Sequence, residues 1–339
     1  MEPNDGLVMT PRNSGRFSGA GMPPALPIRV GVSRCLLGEE VRFDGGHKRD
    51  RFLTDVLGRH VEWVPICPEV EAGFGTPREA MRLVGDAEHP QLMTITSERN
   101  MTTPLAWYSK RKLETLEQTE LSGYIFKKDS PSCGIERVKL FNAYGMPSRT
   151  GAGLFARAFK ERFPLVPIED EGRLCDPALR DNFIERMFCY HRWQLLIRGP
   201  LTRGSIVAFH TAHKYLLMAH SREGYQSLGR LVAQAHCYSA KRLAALYGSL
   251  FMTTLAVKAT RRKHVDVLQH LIGYLKKQLT PEERAELHGV LRDYHNGLVP
   301  LIVPVTLIKH HVTMHQVEYI QNQVYLNPHP KELMLRNYV

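Results

Sequence analysis

Apolar residues in the first half of the chain fall in short blocks closed by turn residues, whereas beyond about position 207 they recur every three or four residues. The blocks IRVGVS (28–33), VEWVPI (61–66) and GYIF (123–126) read as short buried strands. Between and after them, helical spacing predicts helices over 48–59, 105–120, 153–162 and 177–196. That rhythm predicts an α/β fold: a Rossmann-like, mainly parallel sheet domain over 28–196. The segment 197–205 (IRGPLTRGS) has no period and reads as a linker over 197–204. An all-α helical bundle is expected over 205–339, with Thr280 as N-cap and Pro281 at the first position of one of its helices. Residues 1–27, rich in Gly, Pro, Ser and Asn, read as a disordered leader.

Composition narrows the function classes. No apolar stretch approaches the ~20 residues needed to cross a bilayer, so a membrane protein is not expected. No complete G-x-G-x-x-G or P-loop pattern is found, and a nucleotide cofactor is rejected. The six cysteines do not form a dense disulfide framework, which points to a reducing cytoplasm. Of the net charge of +11, +9 lies in residues 201–339, which hold 17 Lys and Arg against 8 Asp and Glu. Lys241, Arg242, Lys258, Arg261, Arg262, Lys263, Lys276 and Lys277 are the candidate contacts to nucleic-acid phosphates. Twelve of the 16 histidines also lie there, including His210, His213 and His220; without a zinc spacing they read as hydrogen-bonded core or RNA-facing groups.

Cys35, Cys67 and Cys133 each follow a predicted strand end and are wrapped in Gly, Pro and charged residues, as in VSRCLLGEE, CPEVEAGFG and KKDSPSCGIE. In open α/β sheets that edge is where ligands bind. Three thiolates converging there suit either an iron–sulfur cluster or a zinc ion, with one metal position left without a protein ligand. Cys189 and Cys237 sit in apolar runs and read as inert core thiols, and Cys175 is expected to be inert as well.

These three segments resemble the thiouracil desulfidase family, whose pattern includes VSxCLLG, CPE and SPSCG, over roughly residues 28–170. The segment FHTAHKYLLMAHS (209–221) is similar to the signature of the helical YbgA-like domain often fused to it. The pair resembles desulfidases that remove sulfur from 4-thiouridine in tRNA. The resemblance implies a 4Fe-4S cluster on Cys35, Cys67 and Cys133, with the fourth iron open to the substrate sulfur. It also implies a thiolated uracil, uridine or tRNA as the partner.

Glu69, two residues after Cys67 in C-P-E, is the candidate general base, with Glu71 its competitor. Ser130 in S-P-S-C can cap a turn or hydrogen-bond the base ring. Ser33, Asp44, Lys127, Lys128 and Ser132 are weaker substrate-binding candidates, while Arg34, His47, Lys48 and Arg78 suit structural ion pairs equally. Replacing C=S by C=O leaves the carbon at one oxidation level, so the expected reaction is a hydrolysis that releases sulfide. Two other readings stay open: a zinc hydrolase on the same thiolates, and a cluster-bearing redox sensor that binds nucleic acid without chemistry.

Overall fold

The computed structural model describes residues 27–339, so the leader expected over 1–27 lies, except for Pro27, outside the described residues. In chain order the strands are β1 (Arg29–Ser33), β2 (Glu62–Ile66), β3 (Met81–Val84), β4 (Gln91–Thr94), β5 (Gly123–Phe126), β6 (Val138–Phe141), β7 (Pro147–Gly151) and β8 (Ile168–Asp170). The helices are α1 (Pro68–Glu71), α2 (Thr102–Thr119), α3 (Leu154–Arg162), α4 (Pro177–Arg198), α5 (Arg203–His220), α6 (Arg222–Ala233), α7 (Ala240–Ala256), α8 (Arg261–Leu275), α9 (Pro281–Asn296), α10 (Ile302–Met314) and α11 (Glu318–Gln321).

The main sheet, ordered β2-β1-β5-β8, is parallel throughout. Its faces follow the two-residue period of a strand. Val30, Val32 and Ile125 face a layer made by Phe183, Ile184, Met187 and Phe188 of α4. Tyr124 and Phe126 face Leu113 and Leu116 of α2 and Phe155 and Phe159 of α3 on the other side. Gly31 is required on that second face, because a Cβ there would sit 2.2 Å from the Tyr124 ring.

Several expectations need correction. A second, mixed sheet, β4-β3-β6-β7, was not foreseen; its strands are four or five residues long and mostly only partly buried, too weak a periodic signal. Residues 48–59 do not form one regular helix. The Asp50 carboxylate accepts from Leu53 N, and the following turns are a π segment (Phe52–Val56) and a 3-10 segment (Leu57–Arg59). Half of the segment read as a linker, 197–204, is helical: α4 runs on to Arg198, and α5 starts at Arg203 because Thr202 and Ser205 form a capping box. Cys237, expected in the core, is exposed at the end of a 3-10 turn between α6 and α7, whereas Cys189 is fully buried.

Helix α4 serves both halves. Farther along it, Cys189 and Trp193 join the core of α5, α7, α8, α9 and α10, which includes Leu216, Tyr247, Phe251, Leu268, Leu291 and Ile308. Between these cores lies a buried polar network. Glu185 on α4 pairs with His220 Nε2 at the end of α5 and, at 3.1 Å, with Arg336. Arg336 also donates to the Tyr325 carbonyl at 2.6 Å, and His264 Nδ1 lies 3.0 Å from the Tyr325 hydroxyl. Leu333 and Leu335, beside Arg336, pack into the layer that contains Val30, Val32 and Cys35. Among the described residues no single helix is long and apolar enough to cross a membrane.

Candidate cofactor and active site

The order β2-β1-β5 is what gathers the three cysteines. All three strands are parallel neighbours, so their C-terminal ends share one edge, and each end leads into a turn that carries a thiol. After β1, Cys35 lies in a 3-10 turn (Arg34–Leu37) that closes at Gly38 with φ 97°. After β2, Cys67 is the N-cap of α1, with Pro68 at the first helical position. After β5, Cys133 lies in a turn where the Ser130 hydroxyl oxygen accepts from Ser132 N and Cys133 N, at 3.2 and 3.1 Å. Gly153 abuts this turn so closely that a Cβ would sit 2.5 Å from the Ser132 carbonyl carbon.

The thiols line one cavity of about 400 Å³ together with Ser33, Arg42, Phe43, Glu69, Arg78, Lys127, Lys128 and Ser130. None of them is in a disulfide. Burial raises the Cys35 thiol to about 11, and the neighbouring Cys67 adds to that shift. Burial also raises Cys67, with Glu69 contributing. Cys133 is driven well above the ordinary thiol range by burial, then by Glu69, Cys67 and Cys35, against a hydrogen bond from Ser33. Three buried thiols crowded into one cavity become thiolates together only beside compensating positive charge, which metal ions supply. Tyr124, whose hydroxyl feels Cys133, and Ser132 each hold a buried oxygen without a hydrogen-bond partner. This donor set fits a metal group.

Glu69 and Glu71 separate cleanly. Glu71 lies outside the cavity lining and accepts from Cys67 N at 3.0 Å, Tyr108 Oη at 2.7 Å and Lys112 Nζ at 2.9 Å. Burial opposes its charge, but Lys112 and these hydrogen bonds together lower its pKa. Glu69 lines the cavity, and its Oε2 accepts from Arg78 Nε at 2.8 Å and from Arg78 Nη2. Arg78 is itself fixed by the carbonyls of Val41 and Gly75, each at 3.0 Å. Sequence reasoning gave Arg78 no more than a generic ion pair, and it did not single out Arg42 or Phe43 at all.

The weaker candidates divide. Ser33 is buried in the lining, accepting from Lys127 N at 2.9 Å. Lys127 and Lys128 reach the cavity, but Lys127 Nζ is paired with Glu171. Ser132 is fully buried and outside the lining. Asp44 is exposed and also outside it, held by Arg42 at 3.1 Å and by Gly46 N. Cys175 is exposed, its thiol 3.5 Å from the Glu171 carbonyl.

In the helical half, Lys241, Arg242, Lys258, Arg261, Arg262, Lys276 and Lys277 are exposed. Arg261 stacks over Tyr294, and Lys263 is half-buried, its Nζ donating to the His220 carbonyl at 2.6 Å, so Lys263 is committed to closing α5. Lys258 acts on the charge of Asp176, the N-cap of α4, as does Arg173. Gly172, one residue before Arg173, packs against the Lys128 side chain. The histidines of FHTAHKYLLMAH are core groups: His210 lies 3.2 Å from the Tyr247 hydroxyl, His213 2.8 Å from the Phe209 carbonyl, and His220 faces Glu185.

Comparison with known proteins places two family models on the chain. One described as 2-thiouracil desulfurase matches residues 30–171, and one for a protein of unknown function, DUF1722, matches residues 214–330. The uncharacterized protein YbgA of Escherichia coli is 29% identical over 158 residues, which are 46% of this chain and 94% of that protein. The uncharacterized protein YbbK of Bacillus subtilis is 30% identical over 148 residues, 41% of this chain and 95% of that one. A solved structure titled as a 4Fe-4S-dependent thiouracil desulfidase, TudS, matches at 26% identity and a TM-score of 0.36, over 43% of this chain and 93% of that one.

Proposed function

Because the chain belongs to the 2-thiouracil desulfurase family over residues 30–171 and to DUF1722 over 214–330, we propose that it is an iron–sulfur desulfidase hydrolysing the thiocarbonyl of 4-thiouridine in tRNA. The observation that carries this reading is the convergence of Cys35, Cys67 and Cys133, from three neighbouring strand ends, on one cavity that also holds Glu69.

Held by the three thiolates, a 4Fe-4S cluster with one iron lacking a protein ligand would supply a sulfur-seeking Lewis acid beside the base. The chain's own residues do the rest. Arg78 engages Oε2 of Glu69 and fixes the carboxylate, leaving Oε1 to take a proton from an attacking water. The balance is thiocarbonyl plus water giving carbonyl plus hydrogen sulfide, with no electron added or removed. Ser130 spends its acceptor lone pairs on the turn and keeps its O–H to donate to a ring oxygen or nitrogen.

A cavity of about 400 Å³ is in the range of small-molecule sites and suits a single base rather than a folded nucleic acid. The remainder of a tRNA must lie outside, where Phe43, Arg42 and Lys128 border the cavity, and the exposed basic residues of the helical half are the candidate phosphate contacts. Such contacts to phosphates hold register without reading sequence.

The test is turnover on thiolated tRNA, 4-thiouridine and free thiouracil by anaerobically purified protein, at two salt concentrations. We expect tRNA to be preferred, with its advantage falling as salt rises. Glu69→Gln should lower turnover about 10²–10⁴-fold while iron content is kept. Full activity in iron-free protein refutes the cluster, and equal, salt-insensitive use of the free base refutes the tRNA assignment.

A further inference from the structure

We propose that Glu283, His311 and His315 form a second metal site, for a divalent transition ion of the zinc class, that ties α9 to α10. His311 and His315 are four residues apart at the end of α10 and therefore rise from one face. Their rings are nearly parallel, 5° apart with centroids at 6.1 Å. Glu283 approaches from the first turn of α9, and the ligand atoms of all three lie within 4.8 Å of one another.

The three groups are held ready. Glu283 Oε2 accepts from Thr280 N at 2.8 Å as half of a capping box, which sets the carboxylate and leaves Oε1 for a ligand. His311 is 6% exposed, and its Nε2 is buried with no hydrogen-bond partner. A buried polar atom left so is destabilising, and coordination to a cation would remove that penalty. Two imidazoles and one carboxylate match zinc and its neighbours, whereas calcium and magnesium prefer oxygen alone. Bonds of ~2.0–2.2 Å need only a small further approach of the three side chains, and a fourth position stays open to water. None of the three residues lines the thiol cavity, so this site is separate from the proposed active site.

The experiment compares zinc uptake by the full-length wild type with His315→Gln and Glu283→Gln after chelator stripping and dialysis. Any zinc taken by the cysteines is common to all three proteins. Glu283→Gln keeps an amide oxygen for the capping box, and His315 is only half-buried, so both chains should fold. The wild type is expected to retain one more equivalent than either variant. Cobalt substituted in the wild type should add visible bands of nitrogen and oxygen ligation that both variants lack. Equal uptake and equal cobalt spectra in the three proteins would overturn the site.

Discussion

The cavity at the end of β1 and the polar network beneath α4 both take ionisable groups out of water, yet they do so in opposite ways. In the network Glu185 meets His220 and Arg336, and Arg336 meets Tyr325, so nearly every buried charge has a partner inside the protein. In the cavity burial raises the thiols of Cys35, Cys67 and Cys133, Cys67 adding to the shift of Cys35 and both adding to that of Cys133, and none is in a disulfide. A network closed on itself holds helices together; a set of like groups crowded into one cavity and raised by burial is a site for something to bind. Within a few residues Glu71 has donors on both carboxylate oxygens, whereas Glu69 in the cavity gives only Oε2 to Arg78.

The contrast breaks most visibly at the thiols. Cys67→Ala should abolish iron binding and desulfuration together while thermal unfolding hardly moves; iron analysis beside a melting curve reads both, and a large loss of stability with iron retained would reverse the assignment. Next in size, Glu185→Ala should leave the Arg336 charge buried without its carboxylate and cost about 3–5 kcal/mol in a denaturant titration. Iron content of the folded fraction should be unchanged.

The smallest effect per group sharpens the comparison through pH. Burial lowers His213 and His264 to about 3 and His210 to about 4, below the ~6.5 of the unfolded chain. The unfolded state therefore binds more protons below pH 6.5, so the stability from these groups is complete above that pH and is lost as pH falls toward 4. The expected slope is about 1.4 kcal/mol per pH unit for each fully buried histidine, read as the shift of the unfolding midpoint between pH 7 and 5. A flat midpoint over that window would mean that these rings are charged or hydrated in the folded protein.

What the sequence made legible followed from local signals. The strands of the thiol-bearing edge and α2, α3 and α4 are announced by periodicity and by turn residues directly after the apolar blocks. Thr280, Pro281 and Glu283 likewise announce the start of α9 through capping chemistry alone. What stayed hidden needs long-range placement. Arg78 finds Glu69 only because the chain folds back before β3, and no spacing encodes that return. Strands such as β3 and β7, with a single buried position each, carry too little alternation to be seen. The Glu283, His311 and His315 cluster draws on two helices, and Cys237 leaves the core because a 3-10 turn interrupts the helical run that seemed to bury it.

Leu333 and Leu335 complete the layer under β1 that also contains Cys35. The thiol-bearing half thus borrows part of its floor from residues some three hundred positions later. During synthesis that floor stays incomplete until the helical half has emerged from the ribosome, and an early stop before Leu333 would leave the layer without these two side chains even though every cysteine had already been made. Maturation of the first half is in this sense timed by the second.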